Sequence, residues 1–133
     1  MAIERINPAE IHQPGGYTHV VRTSGARTAY ISGQVAIDLA GNVVGPGDLE
    51  AQAKQAFANL QGALASVDAD FSNVAKLTIY IVNYSAEARP ALQAARQGLP
   101  GSEAGPPAST LIGVQALAMP EFLIEVEAVV DLD

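Results

Sequence analysis

The chain has no cysteine. That absence removes a disulfide framework, thiolate metal ligation and cysteine nucleophilic catalysis together. Its two histidines, His12 and His19, follow no metal-ligand spacing and are too few to read as a metal cluster; no cofactor is expected. Lysine and arginine are scarce: seven stand against fourteen Asp and Glu, for a net charge of -7. The basic footprint on which phosphate binding rests is therefore missing, which argues against a nucleic-acid partner. An acidic surface mainly implies solubility, and an anionic small substrate would have to find a local positive group. No apolar run approaches membrane-spanning length, and no basic segment followed by an apolar stretch opens the chain, so a soluble cytoplasmic protein with no membrane partner is expected. There is no phosphate-binding glycine pattern, internal repeat or low-complexity segment.

At 133 residues, the length fits one domain over 1–133 with a sizeable core. Ala2 to Ile6 reads as a short strand, and Asn7 to Gly16, with its prolines and glycine pair, as a loop delivering Tyr17. His19 to Arg22 and Thr28 to Ser32 read as strands around a Ser24-Gly25 turn. Val35 to Asp38 is set to pair with Val43-Val44 across Gly41-Asn42, making the front half a β-meander. Asp48 suits an N-cap, with Glu50 in the first turn, and Ala53, Ala56, Phe57, Leu60, Ala63, Leu64 and Val67 recur at helical spacing. Lys76 to Asn83 is a strand with two largely apolar faces. A second helix follows Ser85, with Pro90 near its start and Gly98-Leu99-Pro100-Gly101 at its close.

The last quarter organises the rest. Pro106 to Val114 and Phe122 to Val129 read as two strands joined by a turn, because Met119-Pro120-Glu121 interrupts the ladder. In the second, a period of two puts Phe122, Ile124, Val126 and Ala128 on one face and Leu123, Glu125, Glu127 and Val129 on the other. Two carboxylates on one face of a greasy strand cost free energy unless solvated or paired, which makes them candidates for chemistry. The alternation by itself favours a strand at a solvent edge.

The Pro-Ala-x-Ser/Thr start of Pro107-Ala108-Ser109-Thr110 and the Ile124-Glu125-Val126-Glu127-Ala128 run resemble the C-terminal signature of the reactive intermediate deaminase (RidA/YjgF) family. Three upstream blocks resemble that family's others in the same order: Pro14-Gly15-Gly16-Tyr17-Thr18-His19, the stretch Ile31-Ser32-Gly33-Gln34-Val35-Ala36-Ile37-Asp38, and the Gln52 to Leu64 helix. The resemblance implies an α+β domain, a curved, mostly antiparallel sheet of about six strands with two helices on one face. It also implies a homotrimer whose sheets form a central barrel, with ligand clefts between subunits. The pattern agrees: two helices cover one sheet face, and an apolar second face would need a partner. Some members of the family are labelled ribonucleases, which the acidic charge makes unattractive here.

By the same resemblance, Tyr17, Ser32, Gly33, Gln34 and Ser109 line the cleft, and Glu125 is its acid/base. Glu125 would hold and polarise a water attacking an imine carbon; the alternative is a carboxylate paired across a subunit boundary. Glu127, one pleat further, reads as structural, and a Ser109 nucleophile lacks a histidine to activate it. Two positions depart from the family. Its cleft arginine is replaced by Ser109, and its helix asparagine falls at Ala91. A guanidinium grips a carboxylate through two charge-assisted hydrogen bonds. At roughly 1.5–3 kcal/mol each, losing that fork could weaken carboxylate binding by about two orders of magnitude. Arg22, Arg27, Arg89 and Arg96 are the alternative cations, with surface solvation the default for each. The implied function is a small-molecule-binding protein acting on imines or enamines with an atypical substrate range. A metabolite-binding module without turnover is the alternative.

Overall fold

The computed structural model describes residues 3–133, so the Ala2 end of the expected first strand lies outside the described residues. The elements run β1 (Ile3–Ile6), β2 (Val20–Thr23), β3 (Arg27–Gln34), α1 (Leu49–Ala65), β4 (Val74–Val82), α2 (Arg89–Arg96), β5 (Ala108–Val114) and β6 (Ile124–Leu132). Asp48 caps α1 as its side chain predicts: its backbone is extended and its Oδ1 accepts from the Ala51 amide at 3.1 Å. One face of the helix buries Ala53, Ala56, Phe57, Leu60 and Leu64. A short 3₁₀ turn, Ala86–Ala88, leads into α2, and Pro90 sits in the first turn, where its missing N–H is no loss.

Six strands divide into a four-stranded sheet, ordered β3-β6-β4-β5, and a β1-β2 pair. All pairings are antiparallel except β4 with β5. Thr18 ties the smaller sheet to the larger: it bridges Ala108, its amide donating to the Pro107 carbonyl at 3.0 Å.

This order corrects three expectations. The front half is not a meander, because β2 pairs with β1 and β3 with the C-terminal strand β6. The Ser24-Gly25 segment is instead anchored on buried Asp131, whose carboxylate accepts from the Ser24 amide at 3.4 Å and the Gly25 amide at 3.2 Å. A Cβ at Gly25 would collide with the Leu132 carbonyl, so glycine lets the chain pass there. Secondly, β5 and β6 are not neighbours, since β4 lies between them. The loop joining them is held across the end of β4, where the Val82 and Asn83 amides donate to Leu123 and Val114 carbonyls at 3.0 and 3.1 Å. Buried Gln52 pins the same loop by donating to Glu121 O and accepting from the Leu123 amide, each at 2.9 Å. Thirdly, β6 is an interior strand and not a solvent edge. The expected bridge between the 35–38 and 43–44 segments does form, at Ile37 and Val43.

Both helices pack on one face of the larger sheet. Phe57, Leu60 and Leu64 of α1 and Leu92 and Ala95 of α2 meet Leu77, Ile79 and Ile81 of β4 and Ile124, Val126 and Val130 of β6. The opposite face carries Tyr30, Thr78, Tyr80, Val82, Glu125, Glu127 and Val129, partly buried except for Tyr30, which is 79% exposed.

Candidate functional site

Glu125 projects from the face away from the helices, beside Tyr80 in the β4–β6 register. Its neighbour from β3 is Gly33, and a bulge brings the two together. Ile31 pairs with Ala128 but Gln34 pairs with Val126, so three steps on β3 match two on β6. Strict alternation from Ile31 would turn position 33 toward the core. The extra residue turns it toward Glu125, whose carboxylate fills the space a Gly33 side chain would take. Ser32 and Gln34 flank this contact in the chain, the Gln34 side-chain Nε2 donating to the Ser32 carbonyl at 3.1 Å.

The two carboxylates on this face differ. Glu127 accepts a hydrogen bond from the Tyr80 hydroxyl at 2.6 Å, as a structural carboxylate would. That bond, then burial and the charges of Glu127 and Glu125, hold the Tyr80 phenol above its ordinary value. Among the described residues Glu125 has no side-chain or backbone donor within hydrogen-bonding distance, and it is partly exposed.

Tyr17 and Ser109 lie elsewhere. In the parallel β4–β5 register Ser109 faces with Leu77 and Leu111 with Ile79, placing them on the helix side of the sheet. There they line a cavity of about 370 Å³ together with the Gly15-Gly16-Tyr17 loop and the α2 side chains Arg89, Leu92, Gln93 and Arg96. The Tyr17 hydroxyl is 2.9 Å from His12 Nε2, and His12 and His19 stack edge-on, with ring centroids 4.8 Å apart. His19 Nε2 in turn lies 2.7 Å from the His12 carbonyl. The loop is thus braced by its own aromatic cluster.

The six candidate residues therefore do not form one group: Ser32, Gly33 and Glu125 lie on one sheet face, Tyr17 and Ser109 on the other, and Gln34, paired with core residue Val126, turns to the helix side at the end of β3. Ser109 is not beside Glu125 within one chain. Ala91 does not line the cavity, whereas Gln93 does. Arg89 is exposed, as expected, and Arg96 is partly buried, yet both line the cavity wall, while Arg22 is bound to Glu4 on the small sheet and Arg27 reaches the Asp133 carbonyl. The sequence did carry a signal for this: Arg89, Leu92, Gln93 and Arg96 recur at i, i+3, i+4, i+7, one face of a helix. Among the described residues no three His, Asp or Glu side chains gather as a metal site, and no helix is long and apolar enough to cross a membrane.

Comparison with known proteins places the sequence and the fold among known relatives. Residues 8–132 match the family model described as Endoribonuclease L-PSP. The solved structure of YyfB from Yersinia pestis, a protein of unknown function in the conserved Rid family, is 40% identical. It covers 99% of this chain and 100% of its own, with a TM-score of 0.89. A putative endoribonuclease from Thermotoga maritima, 22% identical with a TM-score of 0.68 over 90% of this chain and 88% of its own, shares the fold. Among curated relatives, the 2-iminobutanoate/2-iminopropanoate deaminase of Mus musculus is 39% identical over 69 residues, 52% of this chain and 50% of that protein. Protein DfrA of Myxococcus xanthus is 33% identical over 75 residues, 56% of this chain and 57% of that protein. The chain thus spans about half the length of the curated relatives it matches.

Proposed function

Because this chain belongs to the Endoribonuclease L-PSP family, the RidA/YjgF proteins, we propose that it binds a small organic imine or enamine and hydrolyses it. The observation that carries this reading is the contrast between two carboxylates on one strand. Glu127 is tied to Tyr80, whereas Glu125 rests on Gly33 with both oxygens uncommitted among the described residues. A free carboxylate over a bare backbone can hold a water. Glu125 takes a proton from that water as its oxygen adds to the C=N carbon, and returns the proton to nitrogen. Glu125 then carries the hydroxyl proton of the resulting carbinolamine to its amine, and cleavage of the C–N bond forms C=O and releases ammonia.

The two groups of residues on opposite sheet faces support a cleft between copies of the chain, Tyr17 and Ser109 from one and Gly33 and Glu125 from the next. A homotrimer closes such a cleft three times over. Ser109, a single neutral hydroxyl where the family's signature carries arginine, makes the substrate range atypical. RNA cleavage, which the family description suggests, fits poorly with a chain of net charge -7.

Glu125→Gln tests the reading. The variant should lose ammonia release by about 10²-fold or more while still binding ligand, since it removes the proton acceptor and keeps the shape. Full turnover in the variant would overturn the assignment. Ligand binding without turnover in the wild type would make the protein a metabolite-binding module.

A further inference from the structure

We propose that Arg89 and Arg96 make the α2 wall of the cavity an anion-binding surface, and that its ligand is an elongated dicarboxylate. The inference rests on the cavity being the ligand site of the reading above. Five of the seven cationic side chains are engaged away from the cavity. Arg22 is held by Glu4 and Lys54 by Glu50; Arg5 donates to the Pro106 and Ser72 carbonyls, Arg27 to that of Asp133, and Lys76 to Thr110. The other two are Arg89 and Arg96, and among the described residues neither has a carboxylate within ion-pairing distance.

Among the described residues no acidic side chain of the same chain lines this cavity, although the chain carries fourteen. It is therefore a positive spot in a negative molecule. Arg96 is partly buried, its guanidinium 5.9 Å from the Phe71 ring centroid, and burial lowers its pKa from the ordinary value without neutralising it. A partly buried cation without a counter-charge costs free energy that an anionic ligand would offset. Arg89 stands at the exposed end of the same helix face, its Nε 3.4 Å from the Tyr84 hydroxyl.

The spacing selects the ligand. Seven helical steps from Arg89 to Arg96 separate the two Cα atoms by about 10 Å, so each guanidinium can take its own carboxylate, bidentately. Ser109 and Leu111 on the facing β5 wall offer a hydroxyl and an apolar surface, suited to the carbon chain between the charges. The cavity's size lies in the range of small-molecule sites.

Calorimetric titration at low ionic strength, with succinate, glutarate and adipate as probes and butanoate and glutaramide as controls, tests this without requiring turnover. A dicarboxylate should bind at least tenfold more tightly than butanoate, and glutaramide not measurably. Arg89→Gln and Arg96→Gln should each remove about tenfold or more of that affinity, the loss of one charged grip. Lys54→Gln should change nothing. Arg96→Lys keeps the charge and should retain part of the affinity, and Arg89→Gln, at an exposed position, carries the test if Arg96→Gln does not fold. Equal binding of butanoate or glutaramide, or dicarboxylate affinity unmoved by both glutamine variants, would overturn the proposal. Dicarboxylate binding through both arginines with no ammonia release from any imine would support it and sink the hydrolase reading. Imine hydrolysis with no preference for dicarboxylates would do the reverse.

Discussion

Glu125 lies against Gly33 so closely that any side chain at position 33 would overlap its carboxylate. The atom in the way is the free end of a flexible side chain, so relief comes from moving Glu125 and leaves the backbone in place. Gly33→Ala should therefore leave the melting temperature nearly unchanged. It should lower imine hydrolysis by about tenfold to a hundredfold, the scale on which small misplacements of a reacting group act. Ammonia release and thermal unfolding measured side by side decide it. Equal activity would show that the position of Glu125 does not matter.

Ser109 shares its cavity with two guanidinium groups. Activity on 2-imino acids made in situ from ordinary amino acids should be weak, because their carboxylate adjoins the reacting carbon, where the β5 wall offers the Ser109 hydroxyl and the two guanidinium groups stand on the α2 wall. Ser109→Arg should raise it by restoring a bidentate grip. The same change adds a third positive charge beside Arg89 and Arg96, so the melting temperature should fall at low salt and recover as salt is added. Wild-type turnover at full rate on these substrates would refute the argument.

Tyr80 predicts an alkaline limit to stability. Its hydrogen bond to Glu127 and the nearby negative charges raise its pKa in the folded chain above the unfolded value of about 10. The unfolded chain therefore gives up this proton first. The stabilisation is present in full below about pH 10 and is lost as pH rises through the higher folded value. Melting curves from pH 9 to 11 should show a fall that is shallower in Tyr80→Phe, and parallel curves would refute it.

The face bearing Tyr30, Tyr80, Val82 and Val129 is where copies of the chain are expected to meet. Light scattering at micromolar concentration should report a particle of three chains. Tyr30→Glu, placing charge at the most exposed aromatic of that face, should shift it toward monomer and reduce turnover with it. A stable wild-type monomer would remove the basis for a shared cleft.

Local features of the chain were legible in its sequence because they rest on neighbours a few residues apart. Asp48 announced its cap, the Ala53–Leu64 recurrence its buried stripe, and alternation from Phe122 to Val129 assigned the Ile124 to Val129 part of β6 to its observed faces. The ordered blocks around Tyr17, Gly33 and Glu125 carried the family. Period two tells which face a residue occupies but not which strand lies beside it, so the interior place of β6, its pairing with β3 and the separation of β5 from β6 were decided only by long-range packing. The same holds for the site. Gly33 meets Glu125 through a bulge that strict alternation would deny, and Arg89 and Arg96 share a helix face in the sequence, but only the folding of α2 against β5 and the Tyr17 loop makes that face the wall of a cavity.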